Sequence, residues 1–297
     1  MNEQAAWRSP ALGARHVVDL AGPLAYFDTG SGPTVVFVHG LLTNANIWRN
    51  VVSRLAPAFR CVTLDLPLGG HQLPFNSEAS LTPPALADLM TSAFDALSLE
   101  ELTLVGNDTG GLLCQIAVTR HPERVGRLVL TSCDYRENFP PKGFEALLEA
   151  PKHPGGLLAL LTPLRLRAAR RLPQAYGMLT VRRLDGQASD TYVLPALQDG
   201  AVRHDLGQVL LNMETRYAVE AADRLHEFRR PALVAWSKAD RVFPSIHAEA
   251  LTRDLADARL EWIEDSGAFS PEDQPEHLAR LIADFVGTTG RAPVGGA

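Results

Sequence analysis

Short runs of β-branched and other apolar residues alternate along the chain with segments of helical periodicity. This alternation is typical of a mostly parallel sheet covered by helices on both faces. The apolar runs predict strands at residues 14–20, 23–27, 34–38, 60–65, 102–107, 127–133, 232–237 and 258–264. The pattern therefore predicts an α/β fold built on an eight-stranded sheet.

Two of the predicted helices have recognisable starts. Thr82 can cap a helix over residues 82–97, and Pro83 suits its first turn. The last helix is predicted to begin in the same way at Ser270-Pro271. Beyond it, the glycine- and proline-rich tail at 287–297 is expected to fray.

One long segment interrupts the alternation of strands and helices. Residues 136–228 contain helical pieces, such as 156–172 and 205–228, and no convincing strand. An insertion of this kind between two core strands predicts a helical cap over the carboxyl edge of the sheet, where open α/β sheets bind ligands. We therefore expect a core formed by residues 1–135 and 229–297, and a cap formed by residues 136–228.

Composition narrows the classes of function. The net charge of −6 argues against a nucleic-acid-binding face, and no apolar run is long enough to span a membrane. The amino terminus has no hydrophobic signal core, so we expect a cytoplasmic location. We also expect a monomer or homodimer that acts on a small molecule. The three scattered cysteines form no metal-ligand pattern, and no dinucleotide fingerprint occurs, so no metal or organic cofactor is expected.

The strongest chemical signal is the segment LTLVGNDTGGLLCQIAV at residues 102–118. A strand runs into Gly106-Asn107-Asp108-Thr109-Gly110, and a helix follows. The glycines let the backbone pass a strained strand-to-helix turn, which lifts the central side chain into a pocket. The amino terminus of the helix stabilises negative charge there. The pattern favours Asp108 as a reactive carboxylate, with a glycine-rich turn of another doubly wound fold as the alternative.

Three further blocks appear in the same order as in a known family. They are Val35–Gly40, a buried strand that ends in His39-Gly40 and precedes Trp48; Thr63–Pro67; and His121–Val125. With the 102–118 segment they resemble the α/β-hydrolase fold over essentially the whole chain. With an aspartate at this turn, the chain resembles the haloalkane dehalogenases and epoxide hydrolases. This resemblance implies that Asp108 attacks carbon in a small, largely apolar substrate, and that a histidine-activated water hydrolyses the resulting ester.

The resemblance also implies positions for the other site residues. Asp240, in the loop after strand 232–237, matches the carboxylate that orients the histidine, and Asp134 is a second candidate. Backbone N–H groups of Leu41 and Thr109 would form an oxyanion pocket. His39 and Trp48 are expected beside this pocket, with His39 bracing its loop.

The histidine of the family falls at Ala268, which can neither polarise water nor carry a proton. An engineered His→Ala change and a natural branch without the histidine are both open. Leu41 and Leu42 replace the halide-binding asparagine and the epoxide-hydrolase proline, and Thr109 replaces the usual tryptophan. These departures favour natural absence, as in a poorly characterised hydrolase-like group that shares the PLGGH and GNDTGG segments.

Three hypotheses for function therefore remain open. The first is an aspartate-nucleophile hydrolase that lacks its base. The second is a lyase, isomerase or cyclase in which Asp108 acts as a general base. The third is a non-catalytic binding protein, although such a protein would not need both Asp108 and Asp240. The tyrosines of the predicted cap either protonate an epoxide oxygen or serve in packing; they are Tyr176, Tyr192 and Tyr217.

Overall fold

The computed structural model describes residues 2–289 of the chain, and eight strands form a single sheet within this range. Each predicted strand is present, so the predicted fold class is confirmed. The strands are β1 (Ala14–Asp19), β2 (Pro23–Thr29), β3 (Thr34–Val38), β4 (Arg60–Asp65), β5 (Leu102–Asp108), β6 (Val125–Cys133), β7 (Ala232–Ser237) and β8 (Ala258–Ile263).

The order of the strands determines where a ligand can bind. The strand order is β1-β2-β4-β3-β5-β6-β7-β8. Strand β2 runs antiparallel to the other seven strands, which are parallel to one another. The chain places β4 on one side of β3 and β5 on the other, so the strand order reverses at β3. Open α/β sheets have a crevice at the carboxyl ends of the strands at such a point. Here that crevice lies at the ends of β3 and β5.

Twelve α-helices occur within residues 2–289. They are α1 (Glu3–Ala6), α2 (Arg49–Leu55), α3 (Pro83–Ala96), α4 (Thr109–Arg120), α5 (Glu145–Glu149), α6 (Gly156–Leu161), α7 (Gly186–Gln198), α8 (Gly200–Leu211), α9 (Thr215–Arg224), α10 (Ser245–Asp254), α11 (Ser270–Asp273) and α12 (Pro275–Thr289). No helix in the described part of the chain is long and apolar enough to cross a membrane.

The starts of α3 and α12 show where the helix predictions succeed and fail. The Thr82 hydroxyl accepts a hydrogen bond from the Ala85 N–H, as expected for the cap of α3. The prediction of one helix from Ser270 is wrong, because α11 and α12 are separate. Gln274 leaves the helical region before Pro275, as the residue before a proline tends to do. From residue 290 onward, the tail expected to fray lies outside the described residues.

Residues between β6 and β7 form helices and short 3-10 turns, with no strand in this fully described stretch. The two long helices predicted here are interrupted. Helix α6 ends at Leu161, just before Pro163, which cannot donate the hydrogen bond that would continue it. Helix α8 ends at Leu211, where the Asn212 side chain donates to the Gln208 carbonyl oxygen at 2.7 Å. Helix α9 lies against α4, so the end of the insertion adjoins the layer that covers the sheet.

Candidate active site

The turn between β5 and α4 holds Asp108 in an unusual backbone conformation. Its φ is +58° and its ψ is −137°, a region that side-chain-bearing residues rarely occupy. The turn also packs closely against β3, since a Cβ atom at Gly110 would lie 2.4 Å from the His39 carbonyl oxygen. This strained turn places the Asp108 side chain at the edge of the sheet where the strands end, next to the amino terminus of α4.

Two backbone N–H groups hold one oxygen of the Asp108 carboxylate. Asp108 Oδ1 accepts from Thr109 N–H at 2.6 Å and from Leu41 N–H at 3.3 Å. Within residues 2–289, Oδ2 accepts no backbone N–H. A Cβ atom at Gly40 would lie 2.1 Å from Oδ1, so only glycine permits this approach. The two groups expected to form an oxyanion pocket thus already bind one carboxylate oxygen.

The surroundings of Asp108 raise the pKa of its carboxyl to about 6. Burial is the main cause, because it disfavours the charged form, and the charge of Asp240 adds to it. Hydrogen bonds from Thr109 and Leu41 lower the pKa and offset part of the effect. The carboxyl is therefore ionised at neutral pH but poorly hydrated, a state that favours attack on an electrophile.

Asp134 follows β6 and lines the same cavity as Asp108. Its Oδ2 accepts from the Thr109 hydroxyl at 3.0 Å, while Oδ1 is buried with no hydrogen-bond partner among residues 2–289. Burial and the charge of Asp108 raise the pKa of the Asp134 carboxyl well above its usual range. The Thr109 hydroxyl also lowers the pKa of Asp108. Two carboxyls of raised pKa thus lie around one threonine.

Asp240 lies in the loop after β7. Its Oδ1 accepts from the N–H groups of Val242 at 2.8 Å and Phe243 at 2.9 Å. Its Oδ2 is buried and has no hydrogen-bond partner in the described part of the chain. Burial raises the pKa of this carboxyl to about 6. Two backbone N–H groups therefore anchor one oxygen of this carboxyl.

Ala268 is fully buried beside the turn that carries Asp108. The Asn107 side chain, one residue before Asp108, donates to the Ala268 carbonyl oxygen at 2.8 Å. The methyl group of Ala268 can make no hydrogen bond to Asp108 or Asp240. The structure thus places the residue expected at the histidine position beside Asn107, the neighbour of Asp108, without a group that transfers protons.

No histidine of residues 2–289 is among those lining the cavity. His39 Nε2 accepts from the Leu66 N–H at 2.9 Å, so its Nδ1–H donates to the Gly40 carbonyl oxygen at 2.9 Å. Burial lowers the pKa of His39 to about 4, which keeps the ring neutral. With both ring nitrogens bonded, His39 braces the loop after β3. The insertion's His153 and His204 are exposed and line a separate surface groove.

A buried His71–Asp205 pair also occurs, which the sequence pattern does not predict. His71 Nδ1 accepts from the Gly69 N–H at 3.3 Å, and its Nε2–H therefore donates to Asp205 Oδ2 at 3.1 Å. Neither side chain lines the cavity. The hydrogen bond between them connects the loop after β4 to α8. The histidine of the PLGGH segment was the available signal, but its partner lies 134 residues away.

The cavity next to Asp108 has a volume of about 170 Å³ and is lined mainly by apolar side chains from the insertion. Asp108 and Asp134 are the only charged residues of 2–289 that line it. The structure does not place Trp48 there, which corrects the expected pocket role. Trp48 is fully buried against Phe37, with 5.1 Å between ring centroids, because it faces the core beneath the sheet edge.

Of the three tyrosines of the insertion, only Tyr176 lines the cavity. Its hydroxyl donates to the Leu42 carbonyl oxygen at 2.6 Å. Tyr192 is buried and donates to Glu272 at 2.6 Å, whereas Tyr217 is half-buried beside Arg216. Tyr176 is therefore the only one of the three placed to meet a ligand in the cavity.

The comparisons with known proteins agree with this architecture. A family model described as alpha/beta hydrolase fold matches residues 33–275. The chain belongs to the α/β-hydrolase fold family. It is 27% identical over 288 residues to the uncharacterized hydrolase YugF of Bacillus subtilis, covering 92% of this chain and 97% of that protein. The family and the relative's name confirm the prediction of a hydrolase-fold enzyme.

Two solved structures show the same fold at lower identity. Haloalkane dehalogenase DbeA from Bradyrhizobium elkani has a TM-score of 0.77 and 22% identity, over 93% of this chain and 98% of that one. Epoxide hydrolase CorEH has a TM-score of 0.77 and 18% identity, over 93% and 99%. At these identities the likeness extends to the fold and not to the reaction.

Proposed function

We propose that Asp108 is a nucleophile that attacks carbon in a small, largely apolar electrophile and forms a covalent ester. The observation that carries this proposal is the asymmetry of the Asp108 carboxylate. Leu41 and Thr109 N–H groups bind Oδ1, whereas Oδ2 accepts no backbone N–H of residues 2–289 and lies beside an apolar cavity. A carboxylate fixed in this way needs no base for the first step, because it is already ionised at neutral pH.

The bonds made and broken differ between the two electrophiles considered. With a haloalkane, the bond from Asp108 Oδ2 to carbon forms as the carbon–halogen bond breaks and halide leaves. With an epoxide, the same bond forms as a carbon–oxygen bond of the ring breaks, and the alkoxide takes a proton. Asp134 supports the epoxide, since its raised pKa lets it hold that proton in the same cavity. No tryptophan or asparagine of residues 2–289 lines the cavity to bind halide.

The second half of a hydrolytic cycle has no evident base. Hydrolysis of the ester requires a group that removes a proton from water, and no histidine among residues 2–289 lines the cavity. Ala268 stands where that group is expected. We therefore propose that the Asp108 ester is long-lived. We also propose that residues 136–228 act as a cap, because most residues lining the cavity belong to them.

Intact-mass measurement tests the proposal directly. The protein is incubated with short haloalkanes, haloacetates and epoxides, and Asp108→Asn is the blank. The proposal expects a mass increase equal to one substrate-derived group, absent from the blank. Introducing the base with Ala268→His should then convert the stable ester into turnover, because Asp240 Oδ2 is available to orient an imidazole.

A second candidate function is proton transfer with Asp108 as general base, in a lyase, isomerase or cyclase. Asp108 and Asp134 favour it, because both line the apolar cavity and burial raises the pKa of both carboxyls, which suits them to proton transfer. The absence of an adduct with every electrophile would favour this candidate over the nucleophile.

A further inference from the structure

A second cavity, of about 260 Å³, lies within the insertion next to the one that contains Asp108. Tyr176 lines both cavities. No acidic residue of 2–289 is among those lining the second cavity, which we call the arginine cleft. Its five arginines are Arg167, Arg170, Arg171, Arg182 and Arg183. A protein with a net charge of −6 thus concentrates positive charge at one place.

Two of these arginines share a single carboxylate. Arg170, which is buried, donates to Asp190 Oδ1 at 2.6 Å, and Arg167 donates to Asp190 Oδ2. Burial alone would raise the pKa of the Asp190 carboxyl, but these hydrogen bonds hold it below its usual value. The pairing fixes one wall of the arginine cleft.

The other three arginines have no carboxylate within ion-pair distance among residues 2–289. Arg171, Arg182 and Arg183 are exposed, and their guanidinium groups make no ion pair or hydrogen bond with residues 2–289. The Arg182 backbone N–H donates to Asp273 Oδ1 at 2.8 Å, which fixes the loop. Like charges held in one cleft repel each other, and a bound anion would relieve this repulsion.

We propose that the arginine cleft binds the phosphate group of an amphiphilic ligand. Guanidinium groups pair with phosphate oxygens through two parallel hydrogen bonds, which makes arginine the preferred residue for this recognition. Val181 and Leu184 also line the cleft and offer apolar contact beside the charges. The phosphate belongs either to a soluble alkyl phosphate or to a lipid headgroup. The inference does not depend on the chemistry of Asp108.

Binding of defined probes to the full chain tests this proposal. Inorganic phosphate and hexyl phosphate are titrated by calorimetry, and vesicles of phosphatidylglycerol or phosphatidylcholine are sedimented with the protein. The test variant combines Arg171→Ala, Arg182→Ala and Arg183→Ala. Because charge-assisted hydrogen bonds are lost, we expect its affinity to fall by about tenfold or more. Affinity of the unchanged protein should also fall as salt is added.

A charge-matched control separates the arginine cleft from general electrostatics. It combines Arg165→Ala, Arg229→Ala and Arg253→Ala, three exposed arginines outside the cleft. All six positions are exposed, so both triple variants should fold as the unchanged protein does, as thermal unfolding checks.

The two kinds of probe distinguish the sources of the phosphate. Binding of hexyl phosphate that only the test variant loses supports a soluble ligand. Binding to phosphatidylglycerol vesicles alone, with the same loss, supports a lipid headgroup. Equal loss in both triple variants, or no binding to any probe, overturns the proposal.

Discussion

Replacing Asp108 with asparagine should make the protein more stable at neutral pH. The carboxyl pKa of about 6, against an ordinary 3.8, means that the folded protein binds this proton more tightly than the unfolded chain. Stability therefore falls as pH rises from 3.8 to about 6 and stays low above that. The shift corresponds to about 3 kcal/mol at pH 7.5 and about 1 kcal/mol at pH 4.5.

Asparagine is a suitable replacement because it keeps the shape of the side chain. Its amide oxygen can still accept from the N–H groups of Leu41 and Thr109, and the strained backbone at 108 is the same in both proteins. Only the buried charge is removed. The expected gain in the free energy of unfolding is therefore up to about 3 kcal/mol at pH 7.5, and it shrinks on acidification.

Urea unfolding followed by circular dichroism at pH 7.5 and pH 4.5 measures this gain. Asp190→Asn is the matched control, because its carboxyl is also buried but is paired with Arg167 and Arg170, which hold its pKa low. The same substitution there should reduce the free energy of unfolding at pH 7.5. The reasoning is refuted if Asp108→Asn gives no gain, or if the gain is equal at the two pH values.

Three further predictions concern ester formation, measured by quenched-flow mass spectrometry. The rate should rise with pH through a midpoint of about 6 and reach a plateau above it, because Asp108 must be ionised; a flat profile would contradict this. Asp240→Asn should lower that midpoint, since the Asp240 charge raises the pKa of Asp108; an unchanged midpoint would argue against it. Gly40→Ala should abolish ester formation, as its Cβ would lie 2.1 Å from Asp108 Oδ1, whereas the control Gly287→Ala, in open surroundings, should react normally.

The sheet and the turn at Asp108 are predictable from sequence for a physical reason. A parallel sheet covered on both faces buries whole strands, so each strand is a short apolar run. All seven residues of β5 are buried, and the run ends at the glycine-rich turn. A strained strand-to-helix turn needs small residues at fixed positions, which gives it a recognisable pattern.

Features that depend on distant contacts are not predictable in this way. A tryptophan that faces the core and one that faces a pocket occur in the same apolar pattern. The sequence therefore suggests a pocket position for Trp48, whereas the structure buries it in the core. The sequence shows the cluster of arginines, but it does not show which of them pair with Asp190. The break at Pro275 is local, and the rule for residues that precede proline would have found it.

Locating the adduct within the chain tests the central claim most directly. After reaction with an epoxide or haloalkane, cleavage at glutamate releases residues 102–123, in which Asp108 is the only internal carboxyl. The account predicts that tandem mass spectrometry places the added group on Asp108 and that hydroxylamine removes it, as expected of an ester. An added group on Cys114 or His121, or an unmodified peptide from a protein whose intact mass has increased, would contradict the account.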